Sequence, residues 1–174
     1  MRPDRREALI LGAVGVGAAA AGALIGAFAL QSQTGATALL SHPFLDLEGN
    51  PRRLVEWQGR VLVCNFWATW CAPCLEEIPL LASAQQKYGT KILQIVGIGI
   101  DRVDKIVEFS GKFRITYPLL VADGAAMNTM KQLGNQTGSL PFTVVLDRGG
   151  AVAKSRLGAL KAGELDLILA PLLR

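Results

Sequence analysis

The stretch Val61-Leu62-Val63-Cys64-Asn65-Phe66-Trp67-Ala68-Thr69-Trp70-Cys71-Ala72-Pro73-Cys74 constrains the fold of this chain more than any other. It begins as an apolar run rich in β-branched residues, the composition of a buried strand, and ends in two tryptophans and a Cys-x-x-Cys. Leu75-Glu76-Glu77-Ile78-Pro79-Leu80-Leu81 then opens a helical pattern. A buried strand therefore delivers two thiols onto the first turn of a helix. Two intervening residues keep both sulfurs within about one turn, so a disulfide can close with little backbone movement. The first turn of a helix has unpaired N–H groups and a partial positive charge, which favour thiolate over thiol at Cys71. Cys74, one turn deeper, is expected to be less exposed and less acidic. The two thiols are unequal by position: Cys71 attacks and Cys74 resolves.

The run Phe66-Trp67-Ala68-Thr69-Trp70-Cys71-Ala72-Pro73-Cys74, followed by Glu77 and Pro79, resembles the thioredoxin superfamily. Within it the chain is similar to the extracytoplasmic TlpA, ResA and CcmG thiol-disulfide oxidoreductases. Gly138-Ser139-Leu140-Pro141-Phe142-Thr143-Val144-Val145-Leu146-Asp147 resembles the cis-proline segment of that family, and the likeness extends from about Phe44 to Arg174. It implies a cis peptide before Pro141, with the Leu140 backbone facing Cys71 and able to pair with an extended client segment by strand addition. Trp70, Pro73, Leu140 and Pro141 would then form an apolar rim around the reactive sulfur.

Hydrophobic residues make up 51% of the 174, and much of the excess lies in Ala8 to Leu30, 23 residues without a charge. As a helix this run spans ~35 Å, enough for a bilayer core of ~30 Å. Arg2, Arg5 and Arg6 precede it and predict a cytoplasmic amino terminus with an exported carboxy-terminal domain. The run carries nine alanines and five glycines, so it is weakly hydrophobic. Asp4-Arg5-Arg6-Glu7 ahead of it partly resembles a twin-arginine export signal; an ordinary positive n-region is the alternative. Ala36-Thr37-Ala38 has the small-x-small pattern of a cleavage site, so the segment is either a retained anchor or a signal cut after Ala38. The expected division is residues 1–38 as export signal or anchor with linker, and 39–174 as the thioredoxin-like domain. The net charge of +4 is mild, and no basic cluster or aromatic ladder suggests nucleic acid.

In chain order, Phe44 to Pro51 suggests a short hairpin leading to Leu54-Val55. A helix is expected from Cys71 to Tyr88, stopped at Gly89, with Pro79 inside it. Lys91 to Ile100 reads as a second central strand and Asp101 to Phe113 as a helix. Pro118 to Val121 reads as a short strand, and Met127 to Leu133 as a helix. Thr143 to Leu146 and Val152 to Leu157 read as a hairpin, and Ala162 to Leu173 as a closing amphipathic helix. This order gives an α/β three-layer sandwich around a mixed sheet. Asp101 to Val121 resembles the insertion of the TlpA group.

Cys71 and Cys74 could be half of a zinc site, but the remaining donors, Cys64 and His42, lack the pairing that structural zinc requires, so no metal is expected. Cys64 reads as a buried, inert thiol, His42 as a solvated linker residue, and Met127 and Met130 as core packing. Asn65 stands where thioredoxins place a buried aspartate, and it cannot titrate. Glu77 can, three residues after Cys74 on the same helix face, and the resemblance transfers the proton-handling role to it. Glu76 should face solvent. The expected activity is cofactor-free dithiol exchange at Cys71 and Cys74. By resemblance it serves disulfide-containing clients, such as apocytochrome c or copper-centre assembly proteins, outside the cytoplasm. A membrane electron donor would supply the electrons. A net disulfide oxidase, a thiol peroxidase and a copper-binding assembly factor are the alternatives.

Overall fold

A computed structural model of the chain describes residues 22, 23, 26, 27, 30 and 33–174. The expected membrane span from Ala8 to Leu30 and the paired arginines before it lie almost wholly outside the described residues. Among those residues, no helix is long and apolar enough to cross a membrane.

Strand β3 (Val61–Trp67) is buried at every position. A strand covered on both faces must be apolar along its length, which is what the sequence supplies apart from Asn65. It pairs in parallel with β4 (Leu93–Gly99), which pairs in parallel with β5 (Leu119–Val121). On its other edge β3 meets β6 (Phe142–Leu146) antiparallel, and β7 (Val152–Leu157) closes that side. The short strands β1 (Phe44–Asp46) and β2 (Pro51–Arg52) extend the far edge antiparallel, giving the order β2-β1-β5-β4-β3-β6-β7.

Alternation along β3 divides the core into two layers. Leu62, Cys64 and Phe66 join Phe142, Val144 and Leu146 on the face covered by residues 33–41 and by helix α3 (Gly124–Gln132). Val61, Val63 and Trp67 turn to the opposite face, under α1 (Ala72–Tyr88), α2 (Val103–Phe113) and α4 (Glu164–Leu169). Asn65 shares the parity of this second set, so the strand aims its only polar side chain at α1. On the same side a Cβ on Gly99 would collide with Ile106, so glycine there lets α2 lie against the sheet.

Several elements depart from the sequence expectation. The closing helix is only Glu164–Leu169, not Ala162 to Leu173. Gly163, with φ +77°, holds its start, and Pro171 removes the donor that another turn would need. Helix α3 begins three residues before Met127, because the Asp123 carboxylate caps the Ala125 and Ala126 N–H groups. Leu54–Trp57 forms a 3-10 turn. Residues 33–41 are helical and bury Ala36, Leu39 and Leu40 in the core, so ordered structure straddles residue 39. His42 is not a solvated linker residue: its ring packs edge-on against Phe44, with Nε2 3.0 Å from Asp123 Oδ1.

Candidate active site

Cys71 is the N-cap residue of α1, with extended backbone angles, and Pro73 occupies the first turn, where a missing N–H costs nothing. Cys71 and Cys74 are joined in a disulfide, with their Cα atoms 5.3 Å apart. Cys71 is 6% exposed and Cys74 0%, so only the first residue of the pair borders solvent. Cys71 O accepts from the N–H groups of Cys74 at 3.0 Å and Leu75 at 3.3 Å, which seats the motif on the helix from its first residue.

The four residues expected to form the rim differ in exposure. Trp70 is 70% exposed, an unusual position for an indole beside a buried thiol. Pro73 is exposed, Leu140 is half-buried against the core layer that holds both cysteines, and Pro141 is buried. The Leu140–Pro141 peptide bond is cis. Phe142 pairs with Phe66, so the proline segment runs in beside the end of β3 that leads to Cys71. Pro141 O accepts the Gly158 N–H at 2.9 Å.

Glu77 is 1% exposed, and Glu76 is exposed beside it. Glu77 Oε1 accepts from Asn65 Nδ2 at 2.7 Å and Oε2 from the Leu160 N–H at 2.8 Å. Burial pushes its carboxyl pKa above the ordinary glutamate range. The two donors and the Arg156 charge oppose that rise, and Glu164 adds to it. Cys64 is a free thiol in β3, fully buried, with its pKa pushed up to about 12 by desolvation alone. Met130 is buried and Met127 half-buried in the core. Among the described residues no group of three or more His, Cys, Asp or Glu side chains could hold a metal ion.

Four supporting residues were not singled out by sequence reasoning. Thr143 lies opposite Asn65 in register and accepts its second amide proton at 3.0 Å; an inward polar residue in an apolar strand was the available signal. Leu160 acts only through its backbone, which no residue pattern reveals. Asn135 is fully buried and binds both the N–H and the carbonyl of Ser139, fixing the loop that delivers Leu140 and Pro141. Asp101 accepts from the Thr69 hydroxyl, tying the Trp70–Cys71 loop to the end of β4, and that bond holds its carboxyl below the usual aspartate range.

A buried strand that stops at a paired dithiol, with a helix opening on it, forms the working part of a thiol-disulfide oxidoreductase, and comparison with known proteins puts the chain in that class. The Redoxin family model matches residues 27–168, and the chain belongs to that family. Thiol-disulfide oxidoreductase ResA of Geobacillus thermodenitrificans (strain NG80-2) is 33% identical over 125 residues, covering 69% of this chain and 67% of that protein. Among solved structures, a thioredoxin-related protein from Neisseria meningitidis serogroup B is 30% identical with a TM-score of 0.66, covering 74% of this chain and 96% of that one. A thiol:disulfide interchange protein of the thioredoxin family from Chlorobium tepidum TLS shares the fold, with a TM-score of 0.69 at 23% identity and coverage of 76% and 93%. The three-layer thioredoxin-like fold and the oxidoreductase class read from the sequence are both borne out.

Proposed function

We propose that the protein reduces disulfides of client proteins outside the cytoplasm, with Cys71 as nucleophile, Cys74 as resolving thiol and Glu77 as proton acceptor. The observation that carries the reading is the asymmetry of the pair: Cys71 borders solvent beside the exposed Trp70, whereas Cys74 is sealed one turn behind it on the helix that carries Glu77.

In the dithiol state the Cys71 thiolate attacks one sulfur of a client disulfide. The Cys71–client bond forms, the client's own S–S bond breaks, and the departing client sulfur takes a proton from water. Cys74 then gives its thiol proton to Glu77, and its sulfur attacks Cys71. The Cys71–Cys74 bond forms, the mixed disulfide breaks, and the client leaves with its second thiol protonated from solvent. Two electrons have passed to the client, and an external dithiol donor must return them before the next cycle. Trp70, Pro73, Leu140 and Pro141 form the apolar edge on which an extended client segment docks.

The family resemblance supports apocytochrome c or copper-centre assembly proteins as clients and a membrane carrier as electron donor. The arginines before the apolar run support a periplasmic domain, held by residues 8–30 or released after signal cleavage. A Cys74→Ser variant tests the assignment in intact cells: clients are expected as mixed disulfides on Cys71, released by reductant, and recovery of none defeats it. Thiol trapping of the natural pair tests the direction; a mostly oxidised Cys71–Cys74 at steady state favours the oxidase reading instead.

A further inference from the structure

We infer that Asn65 is the positioning residue for Glu77, with a side-chain amide that has two working orientations: one holds Glu77 ionised, the other holds it protonated. The inference rests on the role of Glu77 proposed above and extends it.

Asn65 is 1% exposed at the centre of the sheet. Both hydrogens of its Nδ2 are used, one on Glu77 Oε1 at 2.7 Å and one on Thr143 Oγ1 at 3.0 Å. Its Oδ1 is buried and has no partner among the described residues. Buried amide oxygens are seldom left unpaired, and this one sits on a group that could turn over in place. The observed orientation suits a carboxylate, because Oδ1 turned toward Glu77 would set two acceptors against each other.

Proton uptake by Glu77 reverses that preference. Oε1 becomes a donor and no longer needs the amide hydrogen. A half-turn about the Asn65 Cβ–Cγ bond brings Oδ1 to the point between Glu77 and Thr143. There its two lone pairs can accept the new carboxyl O–H and the Thr143 hydroxyl, whose hydrogen is free to rotate. The turned orientation leaves the Nδ2 hydrogens where Oδ1 now sits, a larger cost than one unpaired oxygen. The amide therefore turns only when the new bonds from the Glu77 carboxyl and the Thr143 hydroxyl outweigh it. The Leu160 N–H keeps an acceptor at Oε2 throughout, since the carbonyl oxygen of a carboxylic acid still accepts. An aspartate at this position could not serve both states, because it would compete with Glu77 for the same proton.

The other groups that act on Glu77 are Arg156 from β7, Glu164 from α4 and Tyr117 ahead of β5, and Cys74 lies three residues earlier on α1. Arg156 and Glu164 bond each other at 2.6 Å, so their opposing effects on Glu77 partly cancel. Asn65 is then the side chain that answers a change of charge at Glu77 by direct contact.

The test uses the full chain in detergent micelles with its disulfide intact, following the Glu77 carboxyl carbon and the Asn65 amide group by NMR against pH. The Asn65 NH2 resonances are expected to move with the same midpoint as the Glu77 carboxyl, and to stay still in Glu77→Gln. Asn65→Leu removes both the donor to the carboxylate and the acceptor for the acid. Because the bond to the charged form is the stronger of the two, the Glu77 midpoint is expected to rise by about one pH unit, a tenfold gain in proton affinity. Asn65 resonances that stay flat through the Glu77 transition overturn the inference. So does a Glu77 midpoint that is unmoved or lowered in Asn65→Leu, or a Glu77 carboxyl that does not titrate. If the leucine variant fails to fold, the titration of the natural protein decides. An unchanged pH profile of exchange in Glu77→Gln would instead defeat the role of Glu77 in turnover, and it leaves the NMR linkage standing.

Discussion

The Glu77 carboxylate and the backbone N–H of Leu160, 83 residues apart in sequence, are joined by a buried hydrogen bond of 2.8 Å. The contact links the helix that opens at the Cys71–Cys74 pair to the turn after β7. That same turn donates from Gly158 to the carbonyl of Pro141. A single carboxylate thus supports the dithiol helix on one side and, through three residues of loop, the proposed client-docking edge on the other.

Glu77→Gln is expected to raise the pH needed for disulfide exchange, because the proposed acceptor for the Cys74 proton is removed. Rates of client or model-disulfide reduction against pH check this, and an unchanged profile takes Glu77 out of the mechanism. Stability should respond as well. Burial raises the Glu77 pKa in the folded state above its ordinary value of 4.5, so the folded state binds this proton more tightly than the unfolded state does. This contribution is therefore most favourable below that value and is lost as pH rises through the folded-state midpoint. Denaturant unfolding from pH 4 upward should show that decline in the natural protein and a flatter curve in Glu77→Gln.

Cys64 should be chemically silent in the folded protein. With its pKa pushed up to about 12, the thiolate fraction at pH 8 is only about one in 10,000, and the side chain has no exposed surface. After reduction, alkylation of the native protein is expected to label Cys71 first and to leave Cys64 unmodified until denaturant is added. Mass spectrometry of the labelled peptides checks this. Rapid native labelling of Cys64 would show that β3 opens far more readily than a central strand should.

Asn135→Ala is expected to loosen the proposed docking edge without touching the sulfurs. The substitution removes two bonds to Ser139, at 2.8 and 3.2 Å, and one from Thr137 at 3.3 Å. Loss of such buried bonds costs about 1–3 kcal/mol of stability. Because Leu140 and Pro141 follow Ser139 directly, the KM for a protein client should rise by up to about tenfold with kcat nearly constant. A fall in kcat at constant KM would instead place the effect on the chemistry.

How much of this was legible in the sequence depended on whether the cause was local. The β3 pattern, the thiol spacing and Gly89 are local, and the strand, the motif on its helix and the helix end at Tyr88 lie where they were read. The leucine periodicity continues past Pro171 and so extends α4 beyond its observed end, whereas the Asp123 cap sets the start of α3 at Gly124, three residues before the apolar pattern begins at Met127. Among the site residues, the helical spacing of Glu77 from Cys74 was readable. Its burial was not, because that depends on Asn65 from β3 and on Leu160 from a loop far along the chain. Asn135 carried no periodic signal at all.

The helical segment 33–41 should contribute to the stability of the domain although it lies far in sequence from the active site. Leu39 is fully buried and Leu40 nearly so, packed in the layer that contains Leu133, Met130 and Phe44. Leu39→Ala is expected to cost about 2–5 kcal/mol, the range for a leucine truncated in a closed core. A chain beginning at Leu39, as cleavage after Ala38 would leave it, keeps only three residues of the segment. That is too few to hold a helical turn, so both leucines would lose their packing. Unfolding midpoints are therefore expected to fall in the order natural chain, Leu39→Ala, chain starting at Leu39. At temperatures well below those midpoints, the rate of exchange at Cys71 should be the same in all three. Equal stability of the shortened chain would show that the segment packs on the domain without supporting it.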